Sequence, residues 1–529
     1  DMFVNSFING TDWKNEVTAI DRMAKLTKED IVAFANKYLK EDNYAVIYKK
    51  QGKDPNEKKM TKPEITPIIT NRDVASPFLV EVQESAVKPI EPVFLDYQKD
   101  MSQLKAKSDI PVLYKQNVAN DLFQLIYVFD MGNNHDKALG TAFDYLEYLG
   151  TSDMTPEELK SEFYRLACTF YVSPGNERTY VVLSGLNENM PAAVQLFEKL
   201  LADAQVNKEA YTNMTSDILK ARSDAKLNQG QNFSRLMSFA MYGPKSPATN
   251  LLTEAELTNM NPQELVDRIH NQNSYKHRIL YYGPSSSKDL LATINQYHQV
   301  PAALKDIPAG NEYSYLETPV TKVLVAPYDA KQIYMAQISN LDKKYDPAIE
   351  PIRALYDEYF GGGMNSIVFQ EMRETRGLAY SAWASIMPPS YLKYPYVLRT
   401  QIATQNDKMI DAVTTFNDII NNMPESEAAF KLAKDGLTNR LRTERIIKGD
   451  IIWSYINAQD LGQNVDPRIK LYNDIQNMSL KDIVDFQKQW VKGRTYVYCI
   501  LGDKKDLELD KLKAVGPIEE LTQEQIFGY

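Results

Sequence analysis

Four histidines stand in this chain of 529 residues, His135, His270, His277 and His298. Two imidazoles one helical turn apart can share a zinc ion, and a carboxylate beside them can take a proton from the bound water. No two of the four histidines stand at that spacing of four, so the sequence carries no histidine pair for such a site. His270 and His277 lie around the end of an amphipathic helix, where an imidazole can face the negative helix terminus. Thiol chemistry is equally sparse: Cys168 and Cys499, 331 positions apart, read as two free, buried thiols. Gly361, Gly362 and Gly363 could let backbone amides approach a phosphate. No lysine followed by Ser or Thr comes after them, and they read instead as a tight connection between two helices.

Composition narrows the partners. Apolar residues make up 43% and charged residues 25%, the balance of a folded globular chain. The net charge is -10 with both signs interspersed, and no basic run could neutralise a series of phosphates, which argues against nucleic acid. Apolar runs such as Phe123 to Phe129 fall far short of the roughly 20 residues a membrane-spanning helix needs. The opening Asp1-Met2-Phe3-Val4-Asn5 has none of the features of a targeting signal, and the compartment is not legible.

The elements that must position any site are given by a repeat. Three segments share one order: a glycine, a polar run, a leucine or methionine, a capped amphipathic helix and an apolar strand. They run from Gly10 through Leu26 to Tyr44–Tyr48, from Gly243 through Met260 to Arg278–Tyr282, and from Gly462 through Met478 to Tyr496–Ile500. Leu26, Met260 and Met478 follow one another by 234 and 218 positions. Thr27, Asn261 and Ser479 each suit an N-cap, with acidic residues behind them at the positive helix end. The starts repeat too: Gln124–Tyr127 parallels Lys331–Tyr334, and Glu147–Gly150 parallels Glu358–Gly361, at offsets of 207 and 211.

Two homologous units of about 210 residues follow, over residues 93–308 and 309–529, each an α+β layer with a mostly antiparallel sheet and helices on one face. Residues 1–50 read as the closing segment of a truncated preceding unit. Residues 51–92 hold six prolines, Pro55, Pro63, Pro67, Pro77, Pro89 and Pro92, and read as an extended linker, in which Phe78–Val82 could still add to a sheet edge.

The repeat length, the tail pattern and the run from Gly361 to Ser381, with its glycine cluster, its Phe369-Gln370-Glu371-Met372-Arg373-Glu374 helix and its Gly377-Leu378-Ala379-Tyr380-Ser381 strand, resemble the pitrilysin/insulinase family of zinc metallopeptidases. The resemblance implies four metallohydrolase-like units in two halves that enclose peptide, with zinc in the first unit on an H-x-x-E-H helix. By that comparison this chain is the carboxy-terminal, non-catalytic half, inactive alone, and zinc belongs to an amino-terminal half or a zinc-bearing partner subunit. The matching helix of residues 93–308 reads Asp144-Tyr145-Leu146-Glu147-Tyr148, with only the glutamate kept, and residues 356–359 read Tyr-Asp-Glu-Tyr. The resemblance also implies that Arg373 and Tyr380 bind the substrate backbone: a guanidinium and a phenol supply donors toward a carbonyl that gains charge as water attacks. From spacing alone, Arg373 could equally pair with Glu371 or Glu374 and Tyr380 pack in the core. A non-catalytic structural subunit with the same fold is the other reading that the sequence leaves open.

Overall fold

The computed structural model describes residues 1–42, 44–49, 52, 76–85, 88–330 and 332–529. They form two compact units, Asp1–Val87 and Lys88–Tyr529.

In the first unit, the helix Lys28–Tyr38 starts as its sequence dictates. Thr27 accepts from the Asp30 amide, and the Asp30 carboxylate accepts from the Thr27 amide, a reciprocal cap. Residues 44–48, expected as a strand, lie in none. A strand exists only when its backbone groups find a partner, and no strand is present among the described residues of this unit. Ile47 and Tyr48 are accordingly 92% and 81% exposed. Phe78–Val82 also departs from expectation, because it lies inside the helix Pro77–Glu84. Pro77 occupies the first helical position, where its missing amide costs nothing. The linker prolines Pro55, Pro63 and Pro67 fall outside the described residues.

Residues 88–529 build two six-stranded sheets. The first contains β1 (Ser102–Lys105), β2 (Pro111–Gln116), β3 (Leu122–Phe129), β4 (Cys168–Pro174), β5 (Thr179–Leu186) and β6 (Arg278–Gly283), in the order β1-β2-β6-β3-β5-β4. The second contains β7 (Lys322–Pro327), β8 (Gln332–Lys344), β9 (Ser381–Met387), β10 (Pro395–Gln405), β11 (Val497–Gly502) and β12 (Ile518–Glu520), in the order β12-β7-β11-β8-β10-β9. Both are antiparallel except where β2 meets β6 and where β7 meets β11 and β12. The two sheets repeat in register: Ile126 of β3 lies between Val182 and Leu280, and Ala336 of β8 between Gln401 and Cys499. Gln401 follows Val182 by 219 positions, as Cys499 follows Leu280.

The closing strands β6 and β11 thus run through the middle of their sheets, and every residue of β11 is buried. A strand buried on both sides requires a cover on each face of the sheet. One face of each sheet packs on helices of its own half, including Gln263–Asn271 in the first and Leu480–Trp490 in the second. Ser479 caps the latter with a reciprocal Asp482 contact. The former begins only after Pro262, and Asn261 accepts instead from the Gln263 amide at 3.1 Å.

The opposite faces are covered by exchange. The helix Gln229–Tyr242 lays Phe233, Leu236 and Ala240 on the second sheet, against Leu324, Ala336 and Cys499. The helix Asp450–Asp460 lays Ile451, Ile452 and Ile456 on the first, against Leu113, Ile126 and Leu280. Burying each large aliphatic or aromatic side chain contributes about 1.5–3 kcal/mol, so the exchange holds the two halves of this unit to each other. A charged clamp fixes it further. Arg178 donates to both carboxylate oxygens of Asp460 at 2.6 Å and to Asp130 at 2.6 Å, a bidentate geometry specific to arginine.

The edge strand β9 is guarded by side chains. Asp357 accepts from the Ile386 amide at 2.9 Å and the Ser385 hydroxyl at 2.8 Å, and Arg353 donates to the Ile386 carbonyl at 3.1 Å. Gly361 ends the helix Glu350–Phe360 so close to β9 that a Cβ there would sit 2.2 Å from the Ala384 carbonyl oxygen, a contact only glycine permits. The three glycines join two helices, as their sequence suggests.

Candidate substrate-binding site

The turn that leads into β9 carries Arg373 and Tyr380. Ser366 starts it by accepting from the Phe369 amide, and the helix continues as a wider π-turn over Gln370–Thr375. Val368 and Met372 face inward with no solvent exposure and anchor this turn in the core of the second sheet. Gly377 breaks it with φ near 55°, a conformation glycine adopts without penalty. Its amide donates to the Arg373 carbonyl at 3.0 Å, and the Leu378 amide to the Met372 carbonyl at 2.9 Å. Thr404 of β10 then holds the Leu378 carbonyl at 2.6 Å. The segment between the two residues is fixed by buried side chains and hydrogen bonds at both ends.

The Arg373 guanidinium lies between two rings, 5.0 Å from the centre of Phe369 and 4.9 Å from that of Tyr380, and its nearest carboxylate, Glu374, is 3.6 Å away. Glu371 instead approaches Arg376. Tyr380 is 77% exposed, so the core position that spacing alone allows for it is not where it sits. None of the described residues hydrogen-bonds its hydroxyl. A half-exposed guanidinium and a free phenol thus present donors at one point of the surface, beside the Glu374 carboxylate.

The histidines do not assemble a metal centre. His135 accepts from the Gly132 amide, and His270 meets the Ala204 carbonyl. His277 and His298 are buried and bonded to each other. Among the described residues no group of three or more histidine, cysteine or carboxylate side chains is placed to hold a metal ion, so these side chains do not fit a catalytic zinc. Glu147, where an active unit would keep its glutamate, is exposed.

Residues 279–437 match the profile of the peptidase M16 inactive domain. That match covers less than half of the chain and marks this segment as similar to M16 peptidases. The Gly361–Ser381 pattern lies within the matched segment. The Helicobacter pylori protein named non-peptidase homolog YmxG is 23% identical over 422 residues, which cover 75% of this chain and 93% of that protein. The crystal structure of a peptidase M16 inactive domain from Pseudomonas fluorescens superposes with a TM-score of 0.60 at 15% identity, over 76% of this chain and 98% of that one. The periplasmic protease PqqL from Escherichia coli superposes with a TM-score of 0.61 at 12% identity, over 92% of this chain but only 52% of PqqL. The chain therefore spans about half the length of that protease.

Sequence reasoning missed three constellations in this M16 fold: the Arg178–Asp460 clamp, the buried His277–His298–Glu198 chain, and Arg399 on β10. The first two join residues 282 and 100 positions apart and leave no local signal. The third had one, an arginine between the apolar and threonine residues of a strand.

Proposed function

We propose that this chain is the carboxy-terminal, non-catalytic half of a zinc metalloendopeptidase, and that it holds and orients peptide for a zinc carried by an amino-terminal half or by a separate partner chain. The observation that carries this reading is the Arg373–Tyr380 pair, fixed by a buried turn, with the Tyr380 phenol unbonded among the described residues and the Arg373 guanidinium half exposed. Donors aimed at a carbonyl that gains charge in the transition state lower the barrier more than they strengthen ground-state binding. In the same reading residues 1–50 close a preceding unit, residues 51–92 link the halves, and residues 93–308 and 309–529 are two peptidase-like units. The exposed apolar side chains of Ile47 and Tyr48 suit a strand that another sheet would take up. No helix among the described residues is long and apolar enough to cross a membrane.

A second reading, a non-catalytic structural or partner subunit, is favoured by one observation: the Helicobacter relative, almost all of which is covered, is named a non-peptidase homolog. Mixing the chain with a zinc-bearing M16 half and following cleavage of a fluorogenic peptide separates the two. Faster cleavage than by the zinc half alone supports the peptidase reading; an unchanged rate defeats it and leaves the structural one.

A further inference from the structure

Arg399 sits on β10 opposite Ser385 of β9 and Ile338 of β8. Alternation along the strand puts it on the sheet face of Val397 and Gln401, opposite to that of Leu398 and Ile402. The helix Gln229–Tyr242 crosses this face over β7, β11 and β8, and Arg399 lies toward the β9 end. In the first sheet the register-equivalent residue is Tyr180, 219 positions earlier, which packs edge-on against Trp453 of the covering helix at 5.6 Å. In the second sheet the position holds a charge instead.

That charge is not neutralised. The Arg399 guanidinium lies 5.2 Å from the ring centre of Trp383 and donates to the Gln401 side-chain oxygen at 2.8 Å. Its Nε is buried without a hydrogen-bond partner. Arg278 and Arg468 also have a buried guanidinium nitrogen left over, but each is ion-paired, Arg278 with Asp130 and Arg468 with Asp466 and Glu444. Among the described residues no carboxylate pairs with Arg399. Burial lowers its pKa. A desolvated, unpaired guanidinium is costly to the free protein. The cost is recovered if a ligand brings the missing anion. Beyond the donor given to Gln401, the guanidinium beside the Trp383 ring keeps N–H groups for a carboxylate. Arg399 is partly exposed, so such a group can reach it.

We infer that Arg399, beside the Trp383 ring, is a carboxylate-recognising subsite for bound peptide, taking either an acidic side chain or a peptide's terminal carboxylate. Trp383 is the third residue of β9, three positions beyond Tyr380. The inference rests on the peptide-holding reading above.

Three labelled peptides of one length test it by fluorescence anisotropy on the full chain: an amidated peptide with a central glutamate, the same with glutamine, and the glutamine peptide with a free carboxy terminus. Wild type should bind at least one carboxylate peptide about tenfold or more tightly than the neutral one. Arg399→Gln should erase that preference while binding the neutral peptide as wild type does, and Arg399→Lys should keep part of it. The thermal midpoint of Arg399→Gln should equal or exceed that of wild type, since it removes an unpaired charge. Which carboxylate peptide gains identifies the source. Equal wild-type affinities, or a preference that survives in Arg399→Gln, overturn the subsite while leaving peptide holding intact. Failure of all three peptides to bind defeats both.

Discussion

The guanidinium of Arg373 lies 4.9 Å from the ring centre of Tyr380, although a helix end and a left-handed glycine separate them. The pair is held from beneath, by Val368, Met372 and the hydrogen bonds around Gly377, and not by its own contact, since an exposed cation–π contact contributes only about 0.5–1 kcal/mol. Arg373→Ala and Tyr380→Phe should therefore leave the melting temperature nearly unchanged. In a reconstituted, zinc-loaded enzyme each should lower kcat by about a hundredfold, the usual loss for one well-aimed donor, with zinc content unaltered. Wild-type turnover in both variants would return these residues to a surface ion pair and an idle tyrosine.

Arg178 and Asp460 tie the two sheets through side chains only 12% and 16% exposed. Burial works against the charge on Arg178, but the bonds from Asp460 and Asp130 outweigh it and raise its pKa above the ordinary arginine value. Removing one partner of a buried pair leaves the other charge unsolvated, at a cost of roughly 3–5 kcal/mol. Arg178→Met should be destabilised by about that amount in urea unfolding, and Arg178→Met combined with Asp460→Leu by clearly less. Additive losses would show that the pair does not act as a unit.

Cys499 is fully buried in the centre of β11, and burial pushes its thiol up to about 12; Cys168 is also buried, and burial raises its pKa too. Only the thiolate attacks disulfides. Neither cysteine should react with an aromatic disulfide reagent in the native protein near pH 7, and both should react in denaturant. A rapid native reaction at either thiol would contradict the packing of β11 or β4.

How much of this was legible in the sequence depends on the range of the interaction. The Thr27 and Ser479 caps, the glycine connection at Gly361–Gly363 and the closing strands β6 and β11 are set by residues within a few positions, and their patterns told the elements correctly. The strand read at Tyr44–Tyr48 had the same local pattern as β11, yet strand formation depends on a partner that local pattern does not encode. Phe78–Val82 failed in the other direction, because a short apolar run fits helix and strand alike and Pro77 decided it. The position of Arg373 and Tyr380 came from motif resemblance, but the exposed tyrosine and the ring contact came from the fold. The helix exchange had no local trace: the apolar stripe of Asp450–Asp460 says that it is covered, not that the cover belongs to the other sheet.

His277 links stability to pH. A carbonyl can only accept, so the contact of 2.7 Å to Tyr275 places a proton on His277 Nδ1 and leaves Nε2 to accept from His298 Nε2 at 2.8 Å. One further proton is then shared between His298 Nδ1 and Glu198 at 2.7 Å. The Glu198 carboxyl is held from its other side by Asn273 and the Gln299 amide, both at 2.9 Å. A second proton on His277 would set N–H against N–H. Burial first, and the neighbouring His298 second, lower the pKa of His277 to about 3, against about 6.5 in an unfolded chain. The unfolded state therefore binds more protons across this window, so the contribution is fully present above about pH 6.5 and is lost as pH falls toward about 3, by up to about 1.4 kcal/mol per unit. Urea midpoints should fall between about pH 6.5 and about pH 4.5 in wild type and in His270→Asn, whose imidazole is exposed, and should fall less steeply in His277→Asn. The same slope in all three proteins would show that His277 does not carry the linkage.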